Sequence, residues 1–286
     1  MLRRFNAWVD RQHIVVQASV WITIIFLIRT FGFGLYVVPS PSMETTMLVG
    51  ERFIADKCSL WIRGIQHGDV ISFNDPRFEY SENPVMNWWQ RYVGVSPWGW
   101  GPSNWTKRVI GLPGDHIKGT IEDGKPVVYR NGEKLEEPYI NDHTLISLWG
   151  CDTITYSSGR RPIEHRSYDP NKKYKEQPFY TIDPTRIVRL PGMKTFIHPF
   201  QPVSEDIDTY DVQLGEDEYW VMGDNRLASH DSRFWGPLKG HLIHGKIKFC
   251  IFSIDSEYSW WIMHLIVHPI DFFTKVRWDR TFKIVQ

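Results

Sequence analysis

An uncharged apolar run near the N-terminus constrains this chain more than any other feature of its sequence. Residues 14–28 carry no charged side chain, Arg29 follows, and the apolar run resumes over residues 31–38. A membrane-spanning helix needs about 20 mostly apolar residues, and an arginine at its end can reach the interface. We therefore predict a transmembrane segment over residues 14–36.

A cleavable signal peptide is the alternative for this segment. It would require a small-residue cleavage site after the apolar core, and residues 31–35 (Phe-Gly-Phe-Gly-Leu) contain no Ala-x-Ala pattern. We therefore expect an uncleaved signal anchor. Arg3, Arg4 and Arg11 precede it, so residues 1–13 are expected to be cytoplasmic and the rest of the chain to lie across the membrane.

The remainder of the chain is typical of β-structure. Short β-prone runs at 69–73, 107–110 and 218–222 are bounded by Gly, Pro and Asp, and turn signals occur at 113–115 and 130–133. The predicted fold class is mainly β, with an N-terminal transmembrane helix followed by an antiparallel β-sheet domain that carries a loop-rich β insertion. The expected boundaries are 37–115 and 218–286 for the core and 116–217 for the insertion.

The charge balance and the cysteine spacing indicate which classes of ligand and cross-link to expect. The 33 Lys and Arg residues balance 33 Asp and Glu residues, and no basic tract is present, so no nucleic-acid partner is expected. Cys58, Cys151 and Cys250 are far apart and include no Cys-x-x-Cys pair. Neither a metal site nor a disulfide framework is therefore indicated, and the pairing of the cysteines stays open.

Tryptophan is concentrated in two segments, residues 85–105 and 260–267. The second segment is apolar but too short for a span, and His268-Pro269 interrupts it. Tryptophan favours sites that are part apolar and part wet, such as membrane interfaces. Both contact with the bilayer surface and ordinary core packing are consistent with these two segments.

Ser42 is the first candidate for chemistry, in the segment Pro39-Ser40-Pro41-Ser42-Met43 just after the anchor. Proline fixes φ on either side of Ser40, so a hydroxyl is presented on a stiff backbone near a membrane surface. A linker loop would explain this segment equally well. The chain has no Gly-x-Ser-x-Gly, Ser-x-x-Lys, His-Glu-x-x-His or Walker motif, so a serine nucleophile would need another base.

Lys107 is the candidate base. In an extended strand it would share a face with Trp105 and Val109, and an amine between apolar neighbours loses hydration, which lowers its pKa. A neutral lysine can take the proton from a serine hydroxyl. A strand lysine on a solvated face is the simpler alternative from the pattern alone.

A third segment, residues 223–236, is dense in Asp, Asn, Arg and Ser and can form a charge-paired scaffold under a site. With this segment the chain resembles the bacterial type I signal peptidases. Their serine box is matched by residues 39–43, their lysine box by 107–115, their Gly-Asp-Asn-Arg box by 223–236, and an intermediate strand box by 68–73.

The resemblance implies a role for each matched residue. Ser42 would be the nucleophile that forms an acyl-enzyme, and Lys107 the general base that later protonates the leaving amine. The backbone N–H of Ser42 and the hydroxyl of Ser40 would form the oxyanion hole, where such a donor contributes about 3 kcal/mol to the barrier. Ser229 would hydrogen-bond the lysine amine and orient it.

The same resemblance assigns supporting roles in the third segment. Asp231 and Arg233 would pair, and Asp224 and Arg226 would brace the same loop. His230 is not expected to be the base, because the related endoplasmic-reticulum enzymes carry their histidine at the position of the lysine.

The implied substrates are the signal peptides of secretory preproteins, cut after a small residue with another small residue two positions earlier. Shallow apolar pockets, to which Pro39 and Met43 would contribute, would exclude larger side chains. No cofactor is implied. The implied setting is the bacterial inner membrane, with one span in the lipid bilayer, a cytoplasmic N-terminus and a periplasmic catalytic domain. The oligomeric state is open.

Two alternatives remain within reach of the sequence. A specialised relative, such as the conjugative-transfer peptidases, would mature one pilin-like substrate. A catalytically dead relative would act as a binding module, but the joint presence of Ser40, Ser42, Lys107 and Ser229 argues against it.

The serine box also departs from the family pattern Ser-Met-x-Pro-Thr-Leu, which is followed by Gly-Asp. Thr45 replaces the proline, Glu44 brings a carboxylate near the site, and Glu51 follows Gly50. Because a nearby anion would favour a protonated lysine, we expect Glu44 to face solvent.

Overall fold

The computed structural model describes residues 14–38, 40–44, 46–48, 51–93, 101–140, 153–156, 159–162, 203–226, 229–253, 265–266, 269–270 and 276–285. Helix α1 (Ile14–Leu27) continues into a π-helical turn (Ile28–Gly32), and none of its side chains is buried. These 19 residues are the single segment within the described ranges that is long and apolar enough to cross a membrane. A mostly apolar helix with no buried residue suits a lipid environment.

The helical segment ends earlier than the predicted 14–36. Residues Phe33–Val37 form strand β1, which pairs antiparallel with β2 (Arg52–Asp56). Alternation explains the change, because Phe33, Leu35 and Val37 are exposed while Gly34 is buried and Tyr36 half-buried. Aromatic and β-branched residues suit such a half-buried pleated surface.

The main sheet contains eight antiparallel strands, in the spatial order β1-β2-β13-β3-β4-β11-β12 with β14 beside β13. Its remaining members are β3 (Val70–Asn74), β4 (Asn104–Gly111), β11 (Glu218–Met222), β12 (Leu238–Lys239), β13 (Ile243–Phe252) and β14 (Lys283–Ile284). The three strand runs predicted from sequence are therefore β3, β4 and β11. The mainly β, antiparallel fold class is confirmed.

A second sheet follows β4 in the chain. It has four strands in the spatial order β10-β5-β6-β7. Its strands are β5 (His116–Glu122), β6 (Lys125–Arg130), β7 (Glu133–Lys134) and β10 (Tyr210–Gln213). The turn between β6 and β7 contains Asn131 and Gly132, both with positive φ (54° and 83°), which agrees with the predicted tight hairpin. A separate hairpin joins β8 (Thr153–Tyr156) and β9 (Gly159–Pro162). The rest of the predicted insertion between residues 141 and 202 lies outside the described residues.

Short helices connect the strands. They are α2 (Cys58–Arg63), α3 (Pro84–Trp88), α4 (Glu205–Asp208) and α5 (Ser232–Trp235), with a π-helical turn at Trp89–Val93 and 3₁₀ turns at Pro41–Met43 and Gly240–Leu242. Of the tryptophan-rich segments, residues 94–100 and 260–264 lie outside the described residues. Within the described part of the first segment, Trp88 and Trp89 are exposed to solvent.

Both faces of the main sheet are covered by core residues. Phe53, Val70 and Ile247 belong to one buried cluster, and Ile71 and Val109 belong to the other. Because successive side chains of a strand point to opposite faces, residues 107 and 108 of β4 also point apart. The sheet thereby directs a lysine and an arginine into two different environments, and both environments belong to the candidate site.

Candidate active site

Ser42 and Lys107 are in direct contact at the centre of the site. Lys107 Nζ donates to Ser42 Oγ at 2.9 Å and to the Thr106 carbonyl at 3.1 Å. Both side chains are buried, with residue exposures of 7% and 5%. Strand β4 supplies the lysine and the 3₁₀ turn at Pro41–Met43 supplies the serine. Ser40 Oγ lies 3.3 Å from Ser42 Oγ.

The environment of Lys107 favours the neutral amine. Burial lowers its pKa from 10.5 to about 8, Asp231 and Asp224 oppose this shift, and Arg233 adds to it. Desolvation penalises the charged form of a lysine more than two carboxylates restore it here. The site can therefore hold a neutral amine next to a hydroxyl near physiological pH, which is the requirement for general-base activation of a serine.

The loop at residues 223–226 lies directly against the nucleophile segment. The Asn225 N–H donates to the Ser42 carbonyl at 3.1 Å. A Cβ on Gly223 would come within 2.4 Å of that carbonyl oxygen and 2.2 Å of Ser229 Oγ. Only glycine at residue 223 leaves room for both of these atoms. Ser42 and Ser229 therefore pack against the same residue.

Ser229 is at the site, but its predicted bond to the lysine is absent. Its side chain is fully buried, and its hydroxyl is directed at the Asp231 carboxylate, whose pKa it helps to lower. The Lys107 amine contacts Ser42 and the Thr106 carbonyl instead. The hydroxyl also packs against Gly223, where a Cβ would come within 2.2 Å of it.

Asp231 and Arg233 form the pair predicted from the sequence. Arg233 Nε lies 2.9 Å from Asp231 Oδ1, and Asp231 Oδ2 accepts from the Gly223 N–H at 2.9 Å. Arg233 also binds Asp208 Oδ1 at 2.9 Å and the Arg226 carbonyl at 2.7 Å. This buried network fixes the loop from both ends.

Asp224 and Arg226 do not pair with each other within their loop. Asp224 forms a two-point ion pair with Arg108, through Nε–Oδ1 and Nη2–Oδ2 contacts of 2.8 Å each. Arg226 binds the Gly223 carbonyl and forms an ion pair with Glu137. Each residue therefore connects the loop to another part of the chain.

Several residues of this network were not identified from the sequence, namely Arg108, Glu137, Asp208 and Arg280. Strand alternation could have flagged Arg108, because it faces away from Lys107 on β4. The carboxylates at 137 and 208 come from distant segments and carry no local signal. Arg280 binds the buried Glu51 through Nε–Oε1 (2.5 Å) and Nη2–Oε2 (3.1 Å), and its Nη2 donates to the Thr46 carbonyl.

The prediction that Glu44 faces solvent is wrong. Its exposure is 6%, because the segment that follows the nucleophile turns inward. The Met47 N–H donates to the Met43 carbonyl at 2.8 Å, and Met47 and Leu48 are buried. Thr45 and Pro39 lie outside the described residues.

A cleft of about 1130 Å³ extends from the end of α1 to the Ser42–Lys107 pair. Val38, Met43 and Trp105 are among its lining residues, and so is His230. The His230 ring stacks on Phe234, with centroids 4.7 Å apart, and meets Trp105 edge-on. Its pKa is lowered, chiefly by burial and then by Arg77. Trp105, His230 and Phe234 thus form an aromatic cluster at the cleft that contains Ser42 and Lys107.

Comparisons with known proteins identify the family of this chain. The family model described as "Signal peptidase, peptidase S26" matches residues 11–252. Signal peptidase I of Haemophilus influenzae is 25% identical over 267 residues, covering 84% of this chain and 69% of that protein. Signal peptidase I of Bacillus amyloliquefaciens is 28% identical over 231 residues, covering 80% and 82%. A crystal structure of a signal peptidase I from Enterococcus faecalis V583 shares 22% identity and a TM-score of 0.26, covering 64% of this chain and 95% of that one. The chain belongs to the signal peptidase family, peptidase S26.

Proposed function

We propose that this protein is a membrane-anchored serine endopeptidase that removes signal peptides from secreted preproteins, cutting after small residues. Family membership and relatives named signal peptidase I support the proposal. The observation that carries it is the 2.9 Å contact between Lys107 Nζ and Ser42 Oγ in a buried site.

In the proposed acylation, the neutral Lys107 amine accepts the proton of Ser42 as Oγ attacks the scissile carbonyl carbon. The Ser42 N–H and the Ser40 hydroxyl donate to the oxyanion that develops. The resulting ammonium then protonates the leaving amine, and the signal peptide remains as an ester on Ser42. In deacylation the regenerated amine takes a proton from water, whose oxygen attacks the ester carbonyl. The ester C–O bond then breaks, the ammonium returns the proton to Ser42 Oγ, and the signal peptide leaves with a free carboxyl group.

The buried loop network holds this arrangement in place. Asp231 and Arg233 fix the loop that carries Ser229, while Asp224 and Arg226 tie it to β4 and to Glu137. We assign Ser229 a positioning role through its packing on Gly223, which touches the Ser42 backbone. Rigid support of this kind keeps reacting atoms within the narrow geometry that catalysis needs.

The proposed setting is a bacterial inner membrane, with α1 in the bilayer, residues 1–13 in the cytoplasm and the β domain in the periplasm. A signal sequence held in the same bilayer would present its cleavage site close to the anchor, where Ser42 lies. All three cysteines follow α1, so a membrane-impermeant maleimide should label the protein in spheroplasts without permeabilisation. Labelling that requires permeabilisation would contradict this orientation.

The decisive test uses the full-length protein in detergent with a secretory preprotein. Ser42→Ala and Lys107→Met should each lower kcat by on the order of 10⁴-fold. Lys134→Ala changes an exposed lysine of β7 and serves as the matched control, with activity retained. Cleavage that survives both site substitutions would overturn the mechanism. Cleavage of a pilin precursor alone would indicate the specialised relative instead.

A further inference from the structure

The second sheet contributes a buried carboxylate from each of its two edges to residues 223–236, which we call the support loop. Glu137 follows the edge strand β7, and Asp208 ends α4, just before the opposite edge strand β10. Glu137 forms an ion pair with Arg226, and Asp208 Oδ1 accepts from Arg233 Nη1 at 2.9 Å. None of these four side chains is more than 6% exposed. A sheet that does not carry the dyad therefore holds both arginines of the support loop.

The first chain of contacts begins at Glu137 and ends at the Gly223 carbonyl. Glu137 binds Arg226, and Arg226 Nε donates to that carbonyl at 3.2 Å. Tyr139 strengthens this end, because its hydroxyl donates to Glu137 Oε1 at 2.9 Å. The Tyr139 ring also lies against the Arg108 guanidinium, whose carbon is 4.0 Å from the ring centroid, in a favourable cation-π contact. One short segment after β7 therefore holds two buried arginines.

The second chain of contacts begins at Asp208 and ends at the Gly223 N–H. Asp208 binds Arg233, whose Nε lies 2.9 Å from Asp231 Oδ1. The other carboxylate oxygen of Asp231 accepts from the Gly223 N–H at 2.9 Å. Arg233 also donates to the Arg226 carbonyl at 2.7 Å, which joins the two chains. The two edges of the second sheet thus hold one glycine through its N–H and its carbonyl.

Gly223 is the point at which these contacts reach the nucleophile. A Cβ on Gly223 would come within 2.4 Å of the Ser42 carbonyl oxygen, so the two backbones are in close contact. A shift of Gly223 therefore changes the position of Ser42 Oγ relative to Lys107 Nζ, which is 2.9 Å away. Displacements on the order of 1 Å typically lower kcat about 10²-fold. Neither Glu137 nor Asp208 is among the described residues that line the cleft, so substrate binding should not depend on them.

We propose that the second sheet is a clamp that positions the nucleophile, and that Glu137 and Asp208 are its positioning residues. The inference rests on the proposed peptidase function and adds to it two residues remote from the substrate. Both chains of contacts end at the backbone of Gly223, so each carboxylate limits the movement of the same residue. Loss of either carboxylate should therefore lower kcat and leave KM unchanged.

The test at the first edge separates positioning from charge balance. Glu137→Gln removes the charge but keeps an acceptor for Arg226, whereas Glu137→Met removes both. With a secretory preprotein and the full-length protein in detergent, kcat should fall about ten-fold for Glu137→Gln and about 10²-fold for Glu137→Met, with KM within about two-fold of wild type. The denaturant midpoint should fall in both variants, because each leaves Arg226 without its counter-charge. Glu122→Gln changes a carboxylate of the same sheet that pairs with the exposed Lys134, and it should keep the wild-type kcat.

Asp208 allows the same comparison at the other edge. Asp208→Asn should lose less kcat than Asp208→Leu, and Asp211→Asn, which alters an exposed carboxylate of β10, is the matched control. Asp208→Asn combined with Glu137→Gln should lose less than the product of the two single losses, because both chains of contacts hold the same glycine. A loss equal to that product would show that the two edges act independently and would overturn the clamp.

Two results at Glu137 would also overturn the inference. Equal kcat in Glu137→Gln and Glu137→Met would show that only the charge matters, and a loss carried by KM would place the effect in substrate binding. If Glu137→Met does not fold, Glu137→Gln decides alone, and a kcat equal to that of the Glu122→Gln control would reject the clamp. Failure of the wild-type protein to cleave the preprotein would instead count against the proposed function.

Discussion

Arg108 and Asp224 form a buried two-point ion pair next to the loop that contacts Ser42. Both contacts measure 2.8 Å, and the side chains are 3% and 1% exposed. Arg108 follows Lys107 in β4, and Asp224 follows Gly223, which packs against the Ser42 backbone. One ion pair thus joins the strand of the proposed base to the loop that supports the proposed nucleophile.

Removing one partner of this ion pair should destabilise the fold. Asp224→Asn leaves the Arg108 guanidinium buried without its counter-charge, which typically costs about 3–5 kcal/mol of unfolding free energy. Denaturant unfolding followed by tryptophan fluorescence in detergent measures the change. Lys239→Ala breaks an exposed ion pair with Glu218 and should leave the midpoint unchanged. An Asp224→Asn midpoint equal to that of the wild type would contradict the structural role.

The lowered pKa of Lys107 predicts the pH dependence of activity. Only the neutral amine accepts the serine proton. The value of kcat/KM should therefore rise with pH and level off above pH 8, because the pKa of Lys107 is about 8. At two pH units below that value, activity should be about 100-fold below the plateau, because about one amine in 100 is neutral. A profile of kcat/KM from pH 6 to 9 measures this limb, and a flat profile would exclude Lys107 as the base.

Local signals in the sequence were sufficient for three strands of the main sheet, whereas the pairing of Ser42 with Lys107 was expected from the family resemblance. Apolar residues around Lys107 predicted its strand but left its burial open, and the turn residues at 131 and 132 predicted a hairpin. The helical segment ends at Gly32, whereas hydropathy extends the apolar run further, because residues 33–37 are also apolar. These residues pair with β2 (Arg52–Asp56), a separate strand further along the chain, and hydropathy alone does not predict such pairing.

The charge pairs of the site were the least predictable part. Asp224 and Arg226 were identified as supports, but their partners Arg108 and Glu137 lie 116 and 89 residues away in the sequence. Pairing between residues so far apart depends on the tertiary fold, and no local pattern in the sequence predicts it. The burial of Glu44 was missed for the same reason, since it depends on how the segment after Ser42 packs against the sheet.

Ser40 offers a direct test of the proposed oxyanion hole. Its hydroxyl lies 3.3 Å from Ser42 Oγ, close to where the oxyanion would form. Ser40→Ala should lower kcat about 10²–10³-fold with little change in KM, because the donor acts mainly in the transition state. Ser40→Thr keeps the hydroxyl and should retain more activity. Equal activity of the alanine and threonine variants would remove Ser40 from the mechanism.

Gly223 should tolerate no side chain. In Gly223→Ala the new Cβ would approach the Ser42 carbonyl oxygen to 2.4 Å, and a backbone atom cannot rotate away. The nucleophile must therefore move, and displacements on the order of 1 Å typically lower kcat about 10²-fold. Gly32→Ala is a suitable control, since its Cβ would meet only an ordinary contact at 3.6 Å. Unchanged kcat in Gly223→Ala would show that this close approach is not required.

The C-terminal segment should be necessary for an ordered nucleophile loop. Glu51 is fully buried and accepts hydrogen bonds from the Leu48 N–H, Ser253 and Arg280, and Arg280 also holds the Thr46 carbonyl. In Arg280→Met the carboxylate keeps the Leu48 N–H and the Ser253 hydroxyl as donors but loses the guanidinium of its ion pair. Stability should fall by about 3–5 kcal/mol, as for other broken buried ion pairs.

Glu51→Gln combined with Arg280→Met removes both charges and should recover part of that stability, because no uncompensated charge then remains buried. Denaturant midpoints of the two single variants and the double variant measure this coupling, and purely additive losses would show that the two side chains act independently.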